Sequence, residues 1–190
     1  MERMLVKMGH VLVVGGTGML ADVSKWYAIR HHKVSIIARN KLKMQKIGTE
    51  SSHKNNLYPL YVDYRNLSLL EEQILSAIAA NGPIQQVVAW VRSDALESLQ
   101  VIIKIVSSKA KQWNLFHVLS SGTNVKEIKM QIDLPSNCEY KQIQLGFKIE
   151  KNQPRWLTNH EISQGVIEAI ESNNVSLHIV GQVKPIERRP

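Results

Sequence analysis

The chain has 190 residues, 44% hydrophobic and 21% charged, with a formal net charge of +8 and one cysteine, Cys138. These values suit a single α/β domain spanning 1–190, and they exclude two large domains, an intramolecular disulfide and a cysteine-based zinc site. No run approaches the roughly 18 apolar residues needed to cross a bilayer, and "MERMLVKMGH" lacks a signal-peptide core, so a cytoplasmic protein without a membrane partner is expected. Met8 would serve equally well as initiator, which makes the first seven residues dispensable.

Short β-branched runs alternate with segments of helical period, the pattern of a parallel sheet covered on both faces. The first strand is Val11 to Val14. From Gly18 to His31, Leu20, Val23 and Tyr27 fall on one helical face. Val34 to Ala38 forms the second strand, and "LYPLYVD" a third, placed outside the second because Pro59 removes a ladder donor. Ser68 and Glu71 read as a capping box for a helix carrying Leu70, Ile74, Ala77 and Ile78 on one side. The fourth strand is "QQVVAWV". A helical stripe of Leu96, Leu99, Ile103 and Val106 leads to the fifth, "NLFHVLS". "YKQIQLGF" supplies a sixth strand. Thr158 with Glu161 forms a second capping box before Ile162, Val166, Ala169 and Ile170, and "VSLHIVG" is the last strand. The tail "KPIERRP" is expected to fray. The expected fold is a Rossmann-like doubly wound sheet with strand order 3-2-1-4-5-6-7.

The loop "GGTGMLA" follows the first buried strand and reads G-x-x-G-x-x-A from Gly15 through Gly18 to Ala21. Such a turn lets backbone amides and a helix N-terminus meet a pyrophosphate, an approach that side chains at Gly15 or Gly18 would block. At the end of the second strand, where an NAD site commonly places an acid, stand Ala38, Arg39 and Asn40. A guanidinium pairs with a 2'-phosphate that a carboxylate would repel, so Arg39 points to NADP(H); otherwise it is a surface arginine after a strand. Between Arg39 and Lys54, the bases Arg39, Lys41, Lys43, Lys46 and Lys54 face a single acid, Glu50. That cluster is either a solvated face or a phosphate field. No zinc-finger, RNP or helix-turn-helix pattern accompanies the charge, so nucleic acid is not expected.

The series "VLVVGGTGML", "VSIIARN", "LYVDYRN", "VVAW" and "HVLSSG" resembles the short-chain dehydrogenase/reductase superfamily, particularly its atypical members with a GGTG-type turn. "YKQIQLGF" and "RWLTNHEIS" are similar to a small bacterial subgroup of it. The resemblance implies a cofactor held by Gly15, Thr17, Gly18, Met19, Leu20, Arg39 and Asn40. It further implies adenine contact by Asp63 and the backbone of Tyr64, Ala89 beside the cofactor, and the Ser120-Ser121 turn near the nicotinamide. Asp63 could instead be a helix-flanking turn residue. A small-molecule substrate is implied, and a homo-oligomer is compatible with it.

Catalytic members of that superfamily carry Tyr-x-x-x-Lys on a helix after the fifth strand, where i, i+4 spacing lets the lysine lower the phenol pKa. This sequence contains no such pair. Between Ser121 and Tyr140 there is little room for the helix, and "AWVR" replaces the usual asparagine-rich tetrapeptide. Three readings follow: a different donor among Ser120, Ser121, Tyr140 and Arg92; a substrate that needs no strong protein acid; or NADP(H) binding without turnover, as in NmrA-type proteins. The serines equally well close a turn. Trp90 either walls the groove or fills the flank, and Trp156 is expected to pack as a staple before the last helix. His31 and His32 are expected to complement a helix C-terminus, His117 and His178 to be buried, and Cys138 to be a small core residue.

Overall fold

The first strand, β1 (His10–Val14), is buried along its whole length, which only a central strand with both faces covered can be. Val11 and Val13 join the apolar layer on one face, while Leu12 and Val14 join the layer on the other. This is the two-residue alternation of a pleated strand. The computed structural model describes residues 9–172 and 175–190; the first seven residues and Met8 lie outside them.

The remaining elements in chain order are α1 (Ala21–Ile29), β2 (Lys33–Ala38), α2 (Lys41–Glu50), β3 (Leu57–Tyr61), α3 (Leu67–Asn81), β4 (Ile84–Trp90), α4 (Leu96–Lys109), β5 (Trp113–Leu119), α5 (Val125–Met130), β6 (Cys138–Leu145), β7 (Phe147–Glu150), β8 (Gln153–Trp156), α6 (Asn159–Ser172) and β9 (Leu177–Val180). Seven strands form one sheet in the order β3-β2-β1-β4-β5-β6-β9, parallel throughout. The expected order is therefore found, with β9 in the seventh place. Pro59 lies on the edge strand β3, where its missing N–H breaks no ladder.

One layer packs residues of α1, α2 and α6 on the sheet, including Val23, Tyr27, Met44, Ile47 and Val166. The other packs α3, α4 and α5, including Leu70, Ile74, Leu99, Ile102 and Ile128. Each fully buried aliphatic side chain contributes about 1.5–3 kcal/mol through water exclusion. Because the strand order reverses between β1 and β4, the connections leave on opposite faces there, and a crevice opens at the carboxyl ends of the strands.

Local structure corrects the expectations at some points and adds to them at others. The segment after Arg39 is a helix, α2: the Asn40 side chain accepts from the Lys43 amide at 3.0 Å, and Met44 and Ile47 are buried on its inner side. Helix α3 is capped two residues earlier than expected, by Asn66, whose side chain accepts from the Leu69 amide at 3.2 Å. The second capping box is present, with the Glu161 amide donating to Thr158 Oγ1 at 3.2 Å and the Thr158 amide to Glu161 Oε2 at 2.9 Å. Strands β7 and β8 form an antiparallel hairpin whose turn residues, Lys151 and Asn152, both have positive φ.

His32 does not serve the end of α1. It is buried, its Nδ1 accepts from the Gly9 amide, and burial lowers its pKa from the ordinary imidazole value, which favours the neutral ring. His178 is only half-buried, being on the edge strand β9, and Cys138 is likewise half-buried. The tail is tethered: after a turn at Ile186–Arg188, Arg189 Nη2 donates to the Ser121 carbonyl at 3.1 Å.

Candidate active site

The glycine turn joins β1 to α1 and is closed by two backbone bonds, Gly18 N–H to Gly15 O at 3.2 Å and Ala21 N–H to Gly18 O at 3.1 Å. Its three glycines do different things. Gly15 adopts φ +87°, a region that L side chains rarely adopt. At Gly16 a Cβ would lie 2.5 Å from Ser24 Oγ and 2.9 Å from Ile36 Cγ2, so this residue brings helix and sheet together. The G-x-x-G-x-x-A reading of the loop passed over Gly16. At Gly18 a Cβ would meet nothing nearer than the Gly15 carbonyl at 3.9 Å, so its lack of a side chain keeps the surface open. Asparagine side chains cap α2, α3 and α5, whereas α1 enters through Leu20 without a side-chain cap. Its first-turn amides thus have no side-chain acceptor at the N-cap and suit an anion. Ser163 of α6 braces the loop, its hydroxyl donating to the Met19 carbonyl at 2.6 Å.

A cavity of ≈ 290 Å³ runs from this turn to the end of β2. Gly15, Thr17, Gly18, Met19, Arg39 and Tyr64 all line it, with Ile37, Ala38 and Val62 as apolar walls. Arg39 is 73% exposed, and its Nη1 lies 3.4 Å from Asp63 Oδ2. The two residues expected at the 2'-phosphate and at the adenine therefore pair with each other. Asp63 also accepts from the Arg65 amide at 3.0 Å, the turn role that the sequence left open for it. Asn40 is engaged as the cap of α2. Leu20 and Ala89 are wholly buried and line none of the cavities described here. A neighbouring hollow of ≈ 300 Å³ adds Lys25, Lys43 and Lys46 beside Thr17 and Gly18, with Asp22 and Glu50 as partial counterions.

A second cavity of ≈ 290 Å³ adjoins at Met19 and Trp90 and is lined by Ser120, Ser121, Leu145, Gly146, Trp156 and Leu157. Trp156 is 49% exposed on this cavity, while Leu157 is the buried residue before α6; the expected packing of Trp156 does not occur. The serine turn is held from below. Gln144 donates to the Thr123 carbonyl at 3.0 Å and Gln142 to the Val125 carbonyl at 2.7 Å, while Ser120 Oγ and Thr123 Oγ1 are 2.8 Å apart. The sequence reading missed these two glutamines, whose inward direction follows only from the pairing of β6 beside β5.

Tyr140 does not line the cavity of the serines; on β6, its hydroxyl bonds His117 of β5 at 2.9 Å. Burial pushes its phenol pKa well up, so it is a protonated phenol at neutral pH. His117 in turn lines a third cavity, of ≈ 250 Å³, with Trp90, Arg92, Ser120 and Thr123. Helix α5 occupies the connection after β5 but has only six residues, none of them tyrosine, so no tyrosine-lysine pair faces these cavities from it. Among the described residues no group of three or more His, Cys, Asp or Glu could hold a metal, and no helix is long and apolar enough to cross a membrane.

No family model matches the chain, and no curated protein matches it in sequence. Solved structures do match in fold. A short-chain dehydrogenase/reductase of the glucose/ribitol dehydrogenase type from Brucella melitensis superposes with a TM-score of 0.69 at 11% identity, covering 91% of this chain and 94% of the other. Serine dehydrogenase from Escherichia coli gives 0.66 at 18% identity, covering 91% and 96%. A β-ketoacyl-[ACP] reductase from Bacteroides thetaiotaomicron gives 0.67 at 14% identity, covering 95% and 100%. At such identities the likeness is one of architecture, and the chain has the fold of the short-chain dehydrogenase/reductase structures.

Proposed function

We propose that the chain is an atypical short-chain dehydrogenase/reductase that binds NADP(H) and moves hydride between it and a small molecule. The observation that carries this reading is the cavity joining the uncapped start of α1, the open Gly18 and the Arg39 guanidinium at the switch point of the sheet. The residues present fit the cofactor. The amides of the Gly15–Leu20 turn would hold the pyrophosphate, Arg39 the 2'-phosphate, and Asp63 with Tyr64 the adenine side. Lys43 and Lys46 add positive field nearby.

The nicotinamide, when bound, supplies the hydride acceptor or donor. The chain's own part is to orient and enclose. Met19, Trp90 and Leu145 line the adjoining cavity as an apolar wall, together with Ser120 and Ser121 of the turn after β5 and Trp156 of the hairpin. Exclusion of water by those walls strengthens each hydrogen bond made inside.

A second reading is favoured by the six-residue α5, which carries no tyrosine: a noncatalytic NADP(H)-binding protein of the NmrA-like type. Titration with NADPH and NADP+, followed by cofactor oxidation with quinones, flavins and carbonyl compounds, separates the two. Turnover of any acceptor supports the reductase. Tight binding with no oxidation across the panel supports the sensor, and failure to bind either nucleotide overturns both.

A further inference from the structure

The ≈ 290 Å³ cavity beside the serine turn is uncharged: among the described residues that line it there is no carboxylate, amine, guanidinium or imidazole. Its polar side chains are Ser120, Ser121 and Asn159, and the Ser120 hydroxyl is already paired with Thr123 Oγ1 at 2.8 Å. The chain carries a net charge of +8, and Arg39 and Arg92 line the adjoining crevice, so the lack of charge is particular to this cavity. An ionised molecule would enter it without a counterion, and a polyol would leave several hydroxyls unpaired; both are penalised when water is excluded.

Trp156 is 49% exposed, yet the backbone that carries it is firmly held. Arg155 donates to both oxygens of Glu161, from Nη1 at 2.8 Å and from Nη2 at 3.0 Å, to Glu150 Oε2 at 2.6 Å and to the Trp156 carbonyl at 3.2 Å. These bonds tie both strands of the β7–β8 hairpin to the first turn of α6, a bidentate pair among them. At the base of the hairpin, Phe147 and Gln182 exchange two backbone bonds at 2.9 Å, and Gly146 packs so closely on the Gln182 backbone that a Cβ there would overlap it. The next residue, Leu157, is buried, whereas the frame leaves the indole of Trp156 on the cavity. A large apolar side chain held half in solvent by a fixed backbone is preorganised for contact.

Trp90, the last residue of β4, lines the same cavity. Indole rings meet other aromatic rings in offset or edge-to-face contacts that add to what burial alone contributes, whereas a saturated molecule of equal size gains only burial. The volume lies at the low end of the roughly 300–1,000 Å³ typical of ligand clefts, which suits about one or two rings. From these features we propose that the cavity takes an uncharged, flat molecule of one or two aromatic rings, packed against Trp156 and Trp90. Met19 and Trp90 also line the crevice assigned to the cofactor, so the role of this molecule as substrate rests on the proposed function; its binding does not.

The test uses the full chain labelled with ¹⁵N-tryptophan, whose four indole N–H signals report on Trp26, Trp90, Trp113 and Trp156. It is titrated by NMR with acetophenone, benzoate and cyclohexyl methyl ketone, first alone and then with NADP+ added. Acetophenone should give a saturable shift of the Trp156 and Trp90 signals while those of Trp26 and Trp113 stay in place. It should bind about tenfold or more tighter than benzoate, which carries a charge, and about threefold or more tighter than the saturated ketone. Trp156→Ala should weaken acetophenone about fivefold or more, and Trp156→Phe should stay within about threefold of the wild type. No saturable shift with acetophenone in either condition, equal or tighter binding of benzoate or of the saturated ketone, or undiminished binding in Trp156→Ala overturns the proposal. Acetophenone binding in a chain that fails to bind NADPH would count against the proposed function and leave this site standing, whereas NADPH binding without acetophenone binding overturns this proposal alone.

Discussion

Gly16→Ala and Gly18→Ala differ by two positions in one turn, yet they should fail in different assays. A methyl group at residue 16 would sit 2.5 Å from Ser24 Oγ, 2.9 Å from Ile36 Cγ2 and 3.0 Å from Val13 Cγ1, all closer than ordinary van der Waals contact. Ser24 cannot swing aside freely, because its buried hydroxyl bonds the carbonyls of Gly16 and Leu20 at 3.2 Å and 3.3 Å. Overpacking of this kind costs about 1–3 kcal/mol, and a broken internal hydrogen bond adds about 1 kcal/mol. A loss of about 2–4 kcal/mol lowers Tm by roughly 4–16 °C in a chain of this size. At residue 18 the same methyl meets open space, so Tm should move by about 2 °C at most, while NADPH titration should show affinity reduced tenfold or more. Thermal unfolding and fluorescence titration of both variants decide the matter. A stable Gly16→Ala, or a Gly18→Ala that loses stability and keeps NADPH affinity, would refute the division of labour within the turn.

Arg39→Asp should weaken NADPH by about tenfold or more relative to NADH, since charged hydrogen bonds contribute roughly 1.5–3 kcal/mol; equal loss for both cofactors in paired titrations would show that Arg39 is not the selector. Thr158→Ala removes the hydroxyl that caps α6 and should cost about 1 kcal/mol, read as a fall in the urea midpoint with unchanged slope. Stability should also fall in acid. Burial lowers the folded pKa of His117 to about 4 from 6.5, so between those values the unfolded chain binds the extra proton. The contribution is therefore full above pH 6.5 and lost as pH falls towards 4, at up to about 1.4 kcal/mol per pH unit. Urea unfolding of wild type and His117→Phe across that window should show a shallower slope in the variant.

Much of the sheet is legible in the sequence because buried parallel strands write themselves as β-branched runs, and Pro59 marks the edge. Helix α2 is harder to see. "KLKMQKIGTE" reads as a charge cluster, and its helical signal is confined to the Asn40 cap and two buried residues, Met44 and Ile47. The β7–β8 hairpin escapes for a similar reason: its strands have four residues each, and Lys151 is an unusual occupant of a positive-φ turn position. The glycine turn and Arg39 are local features and can be read in order along the chain. The link between His117 and Tyr140 cannot, because it depends on β6 lying beside β5 in a register that brings residues 23 apart within hydrogen-bonding distance.

The tethered tail shows the same limit from another direction. Its composition suggests fraying, yet Arg189 reaches the Ser121 carbonyl on the turn beside the apolar cavity. Nothing in the order of residues links 189 to 121; the sheet and the turn after β5 create that acceptor.

The central claim is that the crevice between β1 and β4 selects NADP(H) through the glycine turn and Arg39. Side-by-side titration of the wild-type chain with NADPH and NADH, at one fixed ionic strength, tests it most directly. The account predicts saturable binding of both, with NADPH at least tenfold tighter and the preference abolished in Arg39→Asp. Binding of neither nucleotide, or tighter binding of NADH, would contradict it.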